Sequence, residues 1–199
     1  MSFLLRKNSG ADEAAALPYD PRSPEGLAAR WVRWVGASGP LKNPLEDDTG
    51  EYAAVNQPDD VWFLAGSYGK RVERRCVVPT GRSLFLPVFN MWEWPAEGPQ
   101  DAVERASGSL VVDGVSVGPD LITTPIPFTV AGARLNGVAR RKKPVPVTVW
   151  GLWKLIPALA PGQHELRAVG TDGHGFTVDV TYRLAVADGI TAYTYPGGS

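Results

Sequence analysis

The chain has 199 residues, a hydrophobic fraction of 44% and a formal net charge of −1. A charge this close to zero argues against a general binder of nucleic acids or of anionic membranes. The single cysteine excludes a disulfide within the chain, and with only two histidines it leaves a poor supply of zinc ligands. The sequence gives no sign of a cofactor, and the 22 glycines and 18 prolines fit many short strands joined by turns.

Residues 1–22 are predicted to form an N-terminal arm, and 188–199 a C-terminal tail. The one apolar run of the arm, Phe3–Leu5, is too short for a signal peptide. No stretch of the chain approaches the length of a membrane span. With the single cysteine, these features predict a cytoplasmic protein that has no membrane partner and no nucleic-acid partner.

A helix is predicted over 23–35, at the start of a single domain that covers 23–187. Ser23–Glu25 combines a hydroxyl N-cap, a proline at the first helical position and an acid near the positive end of the helix dipole. Residues at i, i+4, i+7 and i+8 then form one apolar face: Leu27, Trp31, Trp34 and Val35. We expect this helix to cover an open end or edge of the domain; a ligand groove lined by its tryptophans is the alternative.

The first strands follow a turn-rich acidic stretch. Residues 61–65 are continuously apolar, which is typical of a strand covered on both faces. Residues 71–78 alternate, and 84–89 are apolar again. Pro87 lies inside that last run, so it predicts an edge strand or a bulge.

The middle of the chain contains one strong turn signal. Asp113-Gly114 between apolar residues predicts a hairpin over 111–115. A short helix is predicted around 101–106. Further strands are predicted over 121–130, where prolines interrupt the run, and over 145–150 and 153–156.

The clearest strand lies near the C-terminus, after a Gly-rich turn that follows a strand over 164–169. Apolar residues alternate through it without a gap: Phe176, Val178, Val180, Tyr182, Leu184 and Val186. A period of two means one buried face and one solvated face. The chain is therefore predicted to be all-β, an antiparallel sandwich of immunoglobulin-like or jelly-roll-like form with one short N-terminal amphipathic helix.

The order of several motifs resembles that of a group of bacterial β-sandwich proteins. The shared pattern is VWFLAG at 61–66, R-x-C-x-V-P-x-G-x-x-L-F from 74, VDG at 112–114, and PGQH followed by DVTY. The resemblance covers about residues 30–186 and implies the fold but no activity. Members of that group carry a second cysteine after a D-x-T-G-E segment. Here Tyr52, Ala53 and Ala54 follow Glu51, so only Cys76 remains, which fits a reducing compartment.

Trp92, Glu93 and Trp94 form the strongest candidate binding site. Alternation puts the two indoles on one face of a strand end, and exposed tryptophans stack on sugars or anchor protein partners. Glu93 beside them could act in a glycosidase with a second carboxylate. The candidate second carboxylates are Glu51, Asp113 and Asp179. Core packing is the alternative for the tryptophans.

Arg74 lies on the same face of an alternating strand as Val72, Cys76 and Val78. It is therefore predicted to face inward, either in a structural ion pair or at an anion-binding site. Asp47, Asp48 and Glu51, with Glu46 nearby, could hold a cation, although Asp, Thr and Gly also build turns. Cys76 is predicted to be a small buried residue rather than a nucleophile. The basic run 140–143 is predicted to be a solvated loop, with phosphate contact as the alternative.

No nucleophile, metal or cofactor pattern stands out, because neither His164 nor His174 has a neighbouring nucleophile in the sequence. This favours a non-catalytic binding or assembly protein that associates with itself through its arms or with another protein. The tail 190–195, ITAYTY, has the composition of an added edge strand. The alternative is a domain that binds or cleaves carbohydrate with Trp92, Trp94 and Glu93, so a glycan is a second possible partner.

Overall fold

The computed structural model describes residues 16–133 and 144–188. Most of the N-terminal arm, the basic run 140–143 and nearly all of the C-terminal tail lie outside these residues. The described part contains one α-helix, α1 (Pro24–Ala37), and a 3-10 turn at Pro40–Lys42. Its strands are β1 (Val61–Phe63), β2 (Arg71–Pro79), β3 (Ser83–Glu93), β4 (Ser107–Val112), β5 (Val115–Val117), β6 (Asp120–Thr123), β7 (Phe128–Val130), β8 (Val145–Ile156), β9 (Gly162–Thr171) and β10 (Thr177–Ala187).

The strands form two five-stranded sheets. Sheet A has the order β1-β3-β8-β6, with β7 also paired to β8, and sheet B has the order β2-β10-β9-β4-β5. The all-β sandwich predicted from the sequence is confirmed. The sheets are mixed rather than purely antiparallel, because β1 pairs parallel to β3 and β2 pairs parallel to β10. No helix in the described part of the chain is long and apolar enough to cross a membrane.

Sheet A is the middle of three layers, between α1 and sheet B. Val61 and Phe63 belong to the core under the helix, while Trp62 and Leu64 belong to the core between the sheets. Neighbouring residues of one strand therefore enter different cores. This explains the continuous apolar run at 61–65, which the sequence predicted to be covered on both faces.

Helix α1 begins as predicted, with Ser23 Oγ accepting the N–H of Gly26 at 3.0 Å. Its tryptophans are buried and satisfy their indole N–H groups within the fold. Trp31 donates to the Leu64 carbonyl at 2.9 Å, and Trp34 donates to the Val55 carbonyl at 2.7 Å. The helix thus covers the outer face of sheet A and fixes the chain around β1; the prediction that it covers an open end or edge of the domain is wrong.

Pro87 marks a bulge and not an edge, because β3 lies between β1 and β8. The register with β8 shifts between Pro87 and Phe89, so Val88 is an extra residue. Glycines of sheet B make room for it. A Cβ at Gly170 would lie 2.4 Å from the Val88 carbonyl oxygen, and one at Gly108 would lie 2.5 Å from Val88 Cγ1. The two sheets therefore approach each other closely at this bulge.

The sequence predicted the hairpin turn of the middle region correctly, but not the elements around it. The 111–115 hairpin is confirmed, with Asp113 at φ 49° and Gly114 at φ 79° joining β4 to β5. The helix around 101–106 is wrong: those residues form an irregular segment that leads into β4. The single strand predicted over 121–130 is in fact two strands, β6 and β7. The two strands predicted over 145–150 and 153–156 are in fact one strand, β8. All three pieces meet because β6 and β7 both pair with β8.

Candidate ligand cleft

An open cleft of about 400 Å³ lies where β3 continues past its bulge, at one end of the sandwich. Its lining is mostly apolar and comes mainly from α1, β3, the loop after β1 and the turn before β10, with Leu45 after α1 and Val178 at the start of β10. The residues that carry it are Trp31, Tyr68, Phe89, Met91, Trp92, Trp94 and Phe176. Trp92 and Trp94 therefore line a concave surface, with side chains from three other segments around them.

The aromatic rings form a buried floor and an exposed rim. Trp31 is 1% exposed and meets Trp92 edge-on, with ring centroids 6.0 Å apart. Tyr68 is 45% exposed and Trp94 49% exposed. Large apolar side chains with this much exposure around one cavity are what a ligand site offers before its ligand binds.

Phe176 is 38% exposed, so it does not face the core as the alternation predicted. It belongs to the turn before β10, which Asp172 shapes by accepting N–H groups of His174 at 2.7 Å and Phe176 at 3.0 Å. These backbone hydrogen bonds hold the pKa of the Asp172 carboxyl below its usual value. The turn directs Phe176 against Phe89, with centroids 6.3 Å apart, and brings Asp172 to the cleft.

The opposite wall is the loop 66–70. Ser67 Oγ donates to the Lys70 carbonyl, which closes a tight turn around Tyr68. Burial raises the pKa of the Tyr68 phenol to about 12, and the negative charge of Glu46 acts in the same direction. Tyr68 therefore presents a neutral phenol to the cleft near neutral pH.

Arg74 is 1% exposed and faces inward as predicted. The predicted ion pair is not found: among the described residues, no carboxylate forms an ion pair with Arg74. Its guanidinium instead donates to the Tyr182 hydroxyl and to main-chain carbonyls of Leu45, Asp47, Ala65 and Gly66. Carbonyl dipoles compensate the desolvated charge.

Arg74 does not line the cleft, but two residues that accept its hydrogen bonds do. Leu45 and Gly66 both belong to the lining. Arg74 thus supports the wall from behind, as a positioning residue and not as a ligand contact.

The acidic loop is organised by its own backbone. Asp47 Oδ1 accepts the N–H groups of Thr49 at 2.8 Å and Gly50 at 2.9 Å, and Oδ2 accepts the Tyr52 N–H at 2.8 Å. Asp48 pairs with Lys70, and Glu51 is exposed. These bonds fit the turn interpretation, and no group of three or more potential metal-ligating side chains occurs within 16–133 and 144–188.

Glu93 is exposed at the end of β3 and lies outside the described lining of the cleft. Two of its suggested partners are engaged elsewhere. Asp113 lies 2.7 Å from His164 Nδ1, and Asp179 bonds Arg167 on the solvated face of sheet B. The third, Glu51, belongs to the acidic loop. The structure therefore does not gather the predicted carboxylate pair at the cleft.

Cys76 is half-buried on β2 at the margin of the inter-sheet core. Burial raises the pKa of its thiol to about 12, although the Arg74 charge opposes this shift. A thiol with that pKa carries almost no thiolate at neutral pH, which agrees with a structural role.

Sequence reasoning found Trp92 and Trp94 but missed Tyr68, Met91, Asp172 and Phe176. Two of these had a readable signal. Tyr68 stands between Ser67 and Gly69, residues that favour turns, and Phe176 directly follows a Gly-rich turn. A large aromatic residue in a turn has no core strand to place it, so exposure at a site is a natural outcome.

No protein-family model matches the chain, and no curated protein matches it. Five chains of known structure match, among them the solution structure of amebosin. That match has 14% identity and covers 57% of this chain and 89% of amebosin, with a TM-score of 0.23. A TM-score this low carries no argument about fold or function. The resemblance in motif order to the bacterial group stays a prediction.

Proposed function

We propose that this domain is a non-catalytic binding protein whose ligand site is the aromatic cleft. The observation that carries the proposal is the convergence of Tyr68, Trp94 and Phe176, all substantially exposed, on one cavity. The cavity lies in the volume range of small-molecule sites, and apolar walls with few polar groups are typical of such sites.

The proposal rests on residues of the cleft and not on self-association through the arms. Residues 1–15 and 189–199 of the arms lie outside the described part of the chain. Association with another copy or another protein stays a separate prediction, which light scattering on the full chain would test. The described residues of the cleft can be tested without knowing the oligomeric state.

Carbohydrate binding is the second candidate. Trp94 at the cleft mouth has an exposed ring on which a sugar face could stack. Cleavage has less support than binding, because Glu93 does not line the cleft and its suggested partners lie elsewhere.

A mixed screen of small ligands tests the proposal. Neutral apolar compounds, mono- and disaccharides and organic cations would be titrated into the full-length protein while the tryptophan indole N–H signals are followed by NMR. We expect one class to shift the Trp92 and Trp94 signals, and Trp94→Ala to weaken that binding. Leu121→Ala is the matched control, because Leu121 is 61% exposed on β6 outside the cleft. Unperturbed Trp92 and Trp94 signals throughout the panel would overturn the proposal.

A further inference from the structure

The charge distribution of the cleft narrows the class of ligand, on the basis of the binding function proposed above. Among the described residues that line it, Asp172 is the single charged side chain, and no lysine, arginine or histidine is present. Glu46 lies close enough to Tyr68 for its charge to act on the phenol. A ligand in this cleft thus meets negative charge and aromatic rings together.

We propose that the cleft binds an organic cation, an alkylated ammonium group held against the aromatic rings with Asp172 as its counter-ion. Ring faces of Trp and Tyr attract cations through their quadrupole, and the attraction strengthens when water is excluded. Trp94 and Tyr68 have exposed rings at the rim, while Trp31 and Phe89 close the floor.

Asp172 is arranged to serve as that counter-ion. Its Oδ1 is the atom that accepts the N–H groups of His174 and Phe176, so the side chain is held in place. Oδ2 takes part in neither of these bonds. These two bonds therefore hold the carboxylate through one oxygen and do not use the acceptor sites of the other.

The shortage of polar groups decides between ligand classes. Apart from Asp172, the polar side chains of the lining are Ser67, Tyr68 and Asn90, with the three Trp indoles. The Ser67 hydroxyl hydrogen is already donated to Lys70, and the Trp31 indole N–H to Leu64. A sugar needs partners for several hydroxyls, and a primary ammonium needs three acceptors. An alkylated ammonium needs neither, because its methyl groups contact the rings and the Asp172 carboxylate balances its charge without a hydrogen bond. An anion is disfavoured because no lysine, arginine or histidine lines the cleft, although His174, in the turn next to it, lies close enough to Asp172 for its charge to lower the pKa of that carboxyl.

A pair of isosteric probes separates charge from shape. Choline would be compared with its carbon isostere, in which a neutral tert-butyl group replaces the trimethylammonium, by NMR titration of the full-length protein. We expect choline to bind about tenfold or more tightly than the isostere, which corresponds to about 1.4 kcal/mol. Asp172→Asn keeps an oxygen for the two backbone N–H groups and removes the charge. It should clearly reduce the preference for choline over the isostere, because only the attraction of the ring faces for the cation then remains.

Asp120→Asn is the matched control, because it removes one exposed carboxylate that pairs with Lys154 away from the cleft. It should leave the preference for choline intact. Equal affinity for the two probes, or an unchanged preference in Asp172→Asn, would overturn the cation inference and leave the binding role of the cleft standing. If neither probe shifts the Trp92 and Trp94 signals, the inference falls, and the mixed screen then decides whether the proposed function falls with it.

Discussion

Tyr182 and Ala65 form a reciprocal pair of hydrogen bonds across the core between the two sheets. The Tyr182 hydroxyl accepts the Ala65 N–H at 2.9 Å and donates to the Ala65 carbonyl at 2.9 Å. The same oxygen accepts a hydrogen bond from Arg74 at 2.9 Å. Because Ala65 directly precedes Gly66, these bonds connect β10 of sheet B to the wall of the cleft.

Tyr182→Phe should lower the free energy of unfolding by roughly 1–3 kcal/mol, because it leaves buried groups of Ala65 and Arg74 without a partner. Tyr19→Phe is a matched control. The Tyr19 hydroxyl forms the same kind of reciprocal pair with Ile126, but at an exposed position where water can replace it. Urea unfolding of both variants measures the difference. Equal losses would show that burial of the Tyr182 network adds nothing.

Gly170→Ala should destabilise the protein by roughly 1–3 kcal/mol, because the new methyl group would collide with backbone of the β3 bulge at Val88. Gly118→Ala is the control, since a Cβ there meets no atom within 4 Å. It should change stability by less than about 0.5 kcal/mol. Thermal melts of the two variants test the prediction, and a Gly170→Ala protein as stable as wild type would contradict the close approach of the sheets.

The His164–Asp113 contact should make stability depend on pH in a defined direction. The hydrogen bond to Asp113, assisted by the Ala160 carbonyl, raises the pKa of His164 above 6.5. The same hydrogen bond lowers the pKa of Asp113 below 3.8. The histidine contribution is complete below 6.5 and is lost as pH rises through the folded pKa. The aspartate contribution is present above 3.8 and is lost as pH falls through its lower folded pKa.

Asp113→Asn isolates this effect, because asparagine tolerates the left-handed backbone of the hairpin turn. Its destabilisation relative to wild type should be largest between the two pKa values and should shrink above the folded pKa of His164. In NMR titrations, the His164 midpoint should fall in the variant. A midpoint that does not move would mean that the contact does not control His164.

The Cys76 thiol should resist modification in the native protein, because burial raises its pKa to about 12. A thiol reagent should react slowly in buffer and quickly in denaturant. Cys76→Ala should cost roughly 1–2 kcal/mol and leave ligand binding intact. Rapid labelling of the folded protein, or loss of binding without loss of stability, would make Cys76 a functional residue instead.

Local sequence patterns were sufficient for the elements that depend on near neighbours. The Ser23 cap, the Asp113-Gly114 turn and the alternation from Val178 to Val186 each carry their own signal. The apolar run at 61–65 predicted cover on both faces, but the identity of the two covering layers depended on contacts far along the chain. The parallel pairing of β2 with β10 was equally non-local, since about a hundred residues separate the two strands.

The sequence predicted only part of the candidate site, because the site joins residues that are far apart in the chain. Trp92 and Trp94 stand out as neighbours in the sequence, whereas Tyr68 and Phe176 reach the cleft from separate loops. Arg74 was placed correctly as buried by its parity on β2. Its partners could not be predicted, because main-chain carbonyls have no signature in a sequence.

The binding role of the cleft is tested most directly by the Trp94 indole N–H signal during ligand titration of wild-type protein. We predict that an organic cation shifts the signals of Trp92 and Trp94 with one common saturation curve, while the buried Trp62 in the inter-sheet core does not respond. Removal of the Trp94 ring should raise the ligand concentration that gives half-saturation. Unchanged Trp92 and Trp94 signals with every class of ligand, or equal shifts at Trp62, would contradict a ligand site in this cleft.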